Sequence, residues 1–231
     1  MIKLHDFERI VFFTGAGLSA ESGIPTYRGR GGLWHEYNYE DYACQRAFDR
    51  DPNKVWDFHD KRREMMGATE PNDGHRIIAE VQEKRPGTWI VTQNVDGLHQ
   101  RAGAIDVIEL HGSMWRVRCD TCEVIKDNDE VPLSNRQCSC GTYWRPDIVW
   151  FEDPLDARTV QAAQKAIGDG DLLVSVGTSG VVFPAAQLPQ IAVRSGATCV
   201  EINPEETPVS AWYQHHLRGQ ASAMLRMMWE G

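Results

Sequence analysis

The chain has 231 residues, 42% of them hydrophobic and 25% charged, the balance of a globular protein with a real core. Its 24 Lys and Arg against 33 Asp and Glu give a formal charge of −9, a field that repels phosphate and argues against nucleic-acid or anionic-membrane binding. No segment approaches the ~20 apolar residues of a membrane span. The N-terminal MIKLHDFERIVFF lacks the basic end and apolar stretch of a signal peptide, so a cytoplasmic location is expected.

In chain order, residues 10–13 (IVFF) read as a buried strand entering a glycine-rich turn, Thr14-Gly15-Ala16-Gly17, before a helix start. Residues 30–71 are aromatic and charged, with a helix expected over 55–66. A second helix fits 74–84, and short β-rich runs follow at Thr88–Thr92 and 106–110. Residues 113–152 hold a set of cysteines. Asp153-Pro154 reads as the N-cap and first turn of a helix over 155–167, stopped by Gly168. Apolar runs at 171–176 and 197–202 complete the strands, and residues 224–229 read as helix packing. Short apolar strands alternating with helices predict an α/β fold, a doubly wound parallel Rossmann-like sheet. Residues 1–29, 72–112 and 153–231 would build that sheet. The segments 30–71 (helical) and 113–152 (cysteine-bearing) would pack as a smaller module across a cleft.

Gly15-Ala16-Gly17-Leu18-Ser19-Ala20 fits G-x-G-x-x-A after a strand, a turn that lets a pyrophosphate approach backbone at a helix start. The acidic ribose ligand expected about 20 residues on is missing, which disfavours an ordinary dehydrogenase. Cys119-x-x-Cys122 and Cys138-x-Cys140 read as four thiolates around one structural zinc, because four protein ligands leave no open position. Cys44 and Cys199 read as buried small hydrophobes.

The stretches GAGLSAESGIPTYRG (15–29), TQNVDGLH (92–99), LHG (110–112), RPDIVWF (145–151), GTS (177–179) and EINPEETP (201–208), with the cysteine set, run along nearly the whole chain. Together they closely resemble the sirtuin family of NAD-dependent protein deacylases. GTSGVVFPAA (177–186) and KVWDFHDKRREMM (54–66) lean toward the bacterial and archaeal branch that includes the mitochondrial desuccinylase. The second cysteine pair is tighter than the family's usual C-x-x-C.

The resemblance implies NAD as a consumed co-substrate, acylated-lysine peptides as partners, and nicotinamide, free lysine and O-acyl-ADP-ribose as products. Gly15, Ala16, Gly17, Ser19 and Ala20 would hold the pyrophosphate, chiefly through Ala16 and neighbouring N–H groups. Ile24, Pro25, Tyr27 and Arg28 would close over nicotinamide, Tyr27 standing where the family usually has Phe. Gln93, Asn94, Val95 and Asp96 would bind the nicotinamide ribose and carboxamide, with His111 the catalytic base and Asn94 its companion. Gly177, Thr178 and Ser179 would also bind the cofactor, with Asn203, Pro204, Glu205 and Ala221 on its adenosine side. The peptide would add as a strand between Val149, Trp150, Phe151 and Gly180, Val181, Val182. Glu152-Asp153 replaces the usual Gly-Glu there.

Desuccinylases of this family carry a Tyr and an Arg three residues apart on a helix; here these are His59 and Arg62, with Ala43 widening the pocket. Protonation of His59 near pH 6.5 would raise the succinyl-to-acetyl preference as pH falls. A mono-ADP-ribosyltransferase and a silent NAD or ADP-ribose sensor are the competing readings.

Overall fold

The computed structural model describes residues 2–27 and 32–231. Strand β1 (Ile10–Thr14) is buried along its whole length, and the glycine turn after it leads into α1 (Ala16–Ala20) with Gly15 as N-cap. The first insertion forms α2 (Leu33–Glu36), α3 (Tyr39–Tyr42), α4 (Gln45–Arg50) and α5 (Pro52–Gly67). Helix α5 begins at Pro52 rather than at 55, because the Asp51 carboxylate accepts the Lys54 N–H and Pro52 needs no N–H partner in the first turn. Asn72 caps α6 (Asp73–Lys84), followed by β2 (Thr88–Thr92), α7 (Leu98–Arg101) and β3 (Ile108–Glu109).

The second insertion supplies β4 (Gly112–Cys119), β5 (Val124–Asp127) and β6 (Arg145–Ile148). Helix α8 (Ala157–Asp169) starts later than its sequence suggests. Its cap is Asp156, which accepts from the Thr159 N–H and hydroxyl, while Asp153 is held by Arg145 and the Trp150 N–H. Then come β7 (Leu172–Val176), α9 (Pro189–Arg194), β8 (Thr198–Ile202), β9 (His215–Leu217) and α10 (Ala221–Glu230).

The large sheet has the order β3-β2-β1-β7-β8-β9, and every pairing is parallel. Alternation along its strands splits the core. Phe12, Ile90, Val174 and Val200 pack on one face with Ile78 and Leu225, and Val11, Phe13, Leu173 and Cys199 on the other with Ala163 and Ala192. The two insertions share a third core, in which Phe48, Val55 and Trp56 meet Val117, Trp144 and Ile148 beside the β5-β4-β6 sheet. The strand order reverses about β1, so the cleft between the insertions and the large sheet opens at the strands' C-terminal ends, where such sheets bind ligands. Among the described residues, no helix is long and apolar enough to cross a membrane.

Candidate active site

A cavity of about 730 Å³ fills this cleft, within the ~300–1,000 Å³ common for ligand and cofactor sites. Gly15, Ala16, Gly17 and Ala20 form one end, against Gly177, Thr178 and Ser179. The glycines are required by close approach. A Cβ on Gly15 would lie 2.8 Å from the Gly177 carbonyl oxygen, and one on Gly17 would lie 2.7 Å from the Gly177 Cα. Gly177 itself has φ +60°, and its Cβ would meet the Leu18 nitrogen at 2.4 Å. The Gly15, Gly17 and Leu18 N–H groups donate to Val176, Gly177 and Gly15 carbonyls respectively. This narrows the expected pyrophosphate donors in the turn toward Ala16.

The loop after β2 lies across the C-terminal end of β1. The Asn94 side-chain amide donates to the Gly15 carbonyl (3.0 Å) and Ser19 Oγ (3.1 Å), and Gln93 Nε2 donates to Thr178 Oγ1 (3.0 Å). His111 is aimed by Nδ1, 2.9 Å from the Gln93 carbonyl oxygen. A carbonyl can only accept, so the proton is on Nδ1 and Nε2 is the basic atom. Burial lowers the His111 pKa from its usual value, partly offset by the Gln93 carbonyl, and keeps the ring a neutral base at pH 7.

Gln93, Asn94, Val95 and His111 line the cavity; Ser19 and Asp96 lie behind its wall. There Asp96 accepts from the Ser19 hydroxyl (2.7 Å) and the Leu98 N–H (2.9 Å), and burial raises its pKa. His99 donates to Thr14 Oγ1, which donates to Thr92 Oγ1, which also accepts the Asn94 N–H. This polar support, with His75 beside His99 at 5.1 Å between rings, was not anticipated from the sequence. Its readable signal was the pairing of Thr14 with Thr92 at the ends of adjacent parallel strands.

On the opposite wall, Ala43, His59 and Arg62 line the cavity together, as expected, with Phe58, Met114 and Ile148, which the sequence had not singled out. His59 and Arg62 are 2% and 6% exposed, so neither is solvated surface. The expected titration of His59 near pH 6.5 is overturned. Burial, reinforced by the Arg62 and Arg145 charges, pushes its pKa down to about 3. The Trp150 indole N–H donates to His59 Nε2 at 3.2 Å, and Arg145 stacks on the other ring system of this pair, 3.9 Å from the Trp150 centroid.

Val149, Trp150 and Phe151 also line the cavity, as do Val181 and Val182 across from them, while Gly180 sits just outside. The N–H groups of 149–151 are engaged with the His111 carbonyl, the Asp153 carboxylate and the Ala43 carbonyl. That edge therefore offers no N–H donor from these three residues to an added strand. Glu152, at φ +74°, stands where a glycine would be unstrained and pairs with Arg46 at 2.7 Å. Asn203, Pro204 and Glu205 line the far end with Thr207, whereas Ala221 opens α10 away from it. Tyr27 lines the cavity, Ile24 is buried in the small module's core, Pro25 is exposed, and Arg28 falls outside the described residues.

Burial also pushes His75 and His99 down to about 3 and about 4. Below pH 6.5 the unfolded chain takes up protons that these two rings and His59 refuse until near pH 4 or 3. The unfolded state then binds more protons, so stability falls as the pH is lowered. Thermal melts are expected to show Tm declining from pH 6.5 toward 4.5; a Tm flat across that window contradicts neutral buried rings.

Cys119, Cys122, Cys138 and Cys140 converge, with all four Sγ atoms within 4.8 Å of one another. The Cys119–Cys140 and Cys122–Cys138 separations are 3.6 and 3.9 Å. Zn–S bonds of about 2.3 Å in a tetrahedron require sulfurs roughly 3.8 Å apart, so the cluster fits zinc. The tight Cys138-x-Cys140 pair works because a turn closes beneath it, the Gly141 N–H donating to the Cys138 carbonyl. Chelation is expected to lower Tm by several degrees and release about one zinc per chain; a chelated, metal-free protein with an unchanged melt refutes a structural zinc.

Residues 15–184 match the profile of the Sir2 family. The NAD-dependent protein deacylase of Aquifex aeolicus (strain VF5) is 43% identical over 224 residues, covering 96% of this chain and 94% of its own. NAD-dependent protein deacylase 1 of Caldanaerobacter subterraneus subsp. tengcongensis is 47% identical over 211 residues, covering 90% and 87%. A solved Sir2 homolog–NAD complex superposes with a TM-score of 0.89 at 39% identity, covering 96% of this chain and 88% of its own. With the glycine turn, the aimed histidine and the cysteine cluster in one frame, these likenesses place the chain in the Sir2 family, the sirtuins.

Proposed function

We infer that this chain is an NAD-dependent protein-lysine deacylase in which His111 is the base and Arg62 admits acyl groups ending in a carboxylate alongside acetyl. The observation that carries the reading is the fixed tautomer of His111, a neutral acceptor at Nε2 on a side chain facing the cavity. NAD, when bound, would supply a sugar carbon that loses nicotinamide as the acyl oxygen bonds to it, and a neighbouring hydroxyl that needs a base. Gly15, Ala16 and Gly17 with Gly177 to Ser179 would seat its phosphates, and Gln93 and Asn94 its ribose, because these groups share the cavity wall. His111 would take the hydroxyl proton at Nε2 while Nδ1–H stays on the Gln93 carbonyl, which favours the charge that develops on the ring. Ala43, Phe58, Met114 and Ile148 keep water from the acyl end.

Arg62 extends the reading to acyl chains with a carboxylate end. Its guanidinium is buried, Nη1 has no hydrogen-bond partner, and among the described residues no carboxylate lies within 4.0 Å of it. A buried cation without a counter-ion is costly, and an anionic ligand relieves that cost. Incubation with NAD and an acetyl-lysine peptide is expected to yield nicotinamide and O-acyl-ADP-ribose in equal amounts. Labelled ADP-ribose on protein instead would select a transferase, and NAD binding without turnover a sensor.

A further inference from the structure

Arg62 stands where α5 meets the segment that follows α1. Its Nη2 donates to Tyr27 Oη at 3.0 Å, and its Cζ lies 5.0 Å from the centroid of the Tyr27 ring. Both side chains line the cavity. On its own helix, the neighbour one turn back is His59, neutral and already held by the Trp150 indole. Tyr27 is therefore the hydrogen-bonding anchor for the guanidinium seen from outside α5. A free arginine side chain has rotamer entropy to lose on binding an anion. An acceptor that fixes one end of the guanidinium removes part of that cost beforehand.

We propose that Tyr27 is a positioning residue for acyl selection: by accepting from Arg62 Nη2 it fixes the guanidinium on the cavity wall, within reach of a carboxylate-ended acyl group. The proposal rests on Arg62 being the carboxylate-binding group, as inferred above. It gives Tyr27 a part in reading the acyl chain as well as in the segment facing the cofactor, so the phenol hydroxyl acts across the cavity from its own element.

The test is Tyr27→Phe, which keeps the ring over the guanidinium and removes the acceptor. At saturating NAD, the KM of a succinyl-lysine peptide relative to the matching acetyl-lysine peptide is expected to rise about 3- to 10-fold, the worth of one hydrogen bond. The kcat ratio of the two peptides is expected to stay the same. In an Arg62→Met background, Tyr27→Phe is expected to change the KM ratio no further, because the partner it positions is gone. Equal KM changes on both peptides, or the same ratio change with Arg62 absent, overturns the proposal while leaving Arg62 in its role. An Arg62→Met enzyme with an unaltered succinyl-to-acetyl ratio overturns the Arg62 reading and the proposal together.

Discussion

His111→Ala is expected to lower deacylation by about 10²–10⁴-fold, the usual contribution of a positioned general base, while NAD affinity changes little. The asymmetry follows from geometry. The glycine turn and Asn94 are braced by Gly177, Ser19 and Thr92, none of which depends on the His111 ring. What alanine removes is the acceptor at Nε2. Equilibrium binding of NAD and single-turnover product formation separate the two effects. Near-normal turnover in the variant removes His111 from the chemistry. Burial holds the ring below its ordinary pKa, so the base is already neutral at pH 7 and the acidic limb of the kcat profile is expected below pH 6.5. Between that limb and neutral pH the rate should be flat, since no proton needs to leave His111 there.

The parts of the site that lie within one stretch of chain were legible. The glycine turn and the paired cysteines are visible in local spacing, and the QNVD loop in the family resemblance. The structure brings them to one cavity and one sulfur cluster. The parts that depend on distant neighbours were not. Asp153-Pro154 has the local form of a helix start, yet Arg145 and the Trp150 N–H claim the carboxylate, and Asp156 caps α8 instead. Strand β5 is exposed at every position and β9 spans three mostly exposed residues, so neither has the apolar alternation that reveals a strand. The two insertions were expected to pack together, and their shared core shows why: Trp56 from one donates its indole N–H to the Trp144 carbonyl of the other. The charge state of His59 was beyond the sequence altogether. It is set first by burial, then by the Arg62 charge on the same helix and that of the distant Arg145; helix spacing shows the Arg62 neighbour but neither the burial nor Arg145.

Arg62→Met is expected to reduce succinyl-lysine turnover by about 10- to 100-fold and acetyl-lysine turnover far less. A charge-assisted hydrogen bond to an ionised group contributes about 1.5–3 kcal/mol, and an acetyl group presents no carboxylate to receive it. The substitution is tolerable for the fold, because Arg62 is a buried cation with no ion-pair partner among the described residues and methionine fills similar apolar space. Comparing kcat/KM for the two peptides in both proteins isolates the carboxylate's contribution. Equal losses would mean that Arg62 supports the cavity wall without reading the acyl chain. The pH dependence of the same ratio supplies an independent check. A protonating His59 would raise succinyl preference between pH 8 and 6, but its ring stays neutral down to about pH 3, with Nε2 occupied by the Trp150 N–H. A guanidinium keeps its charge over that whole range. The succinyl-to-acetyl ratio is therefore expected to be level from pH 6 to 8 in the native enzyme, and a rise toward pH 6 would show that His59 takes up a proton when the acyl carboxylate arrives.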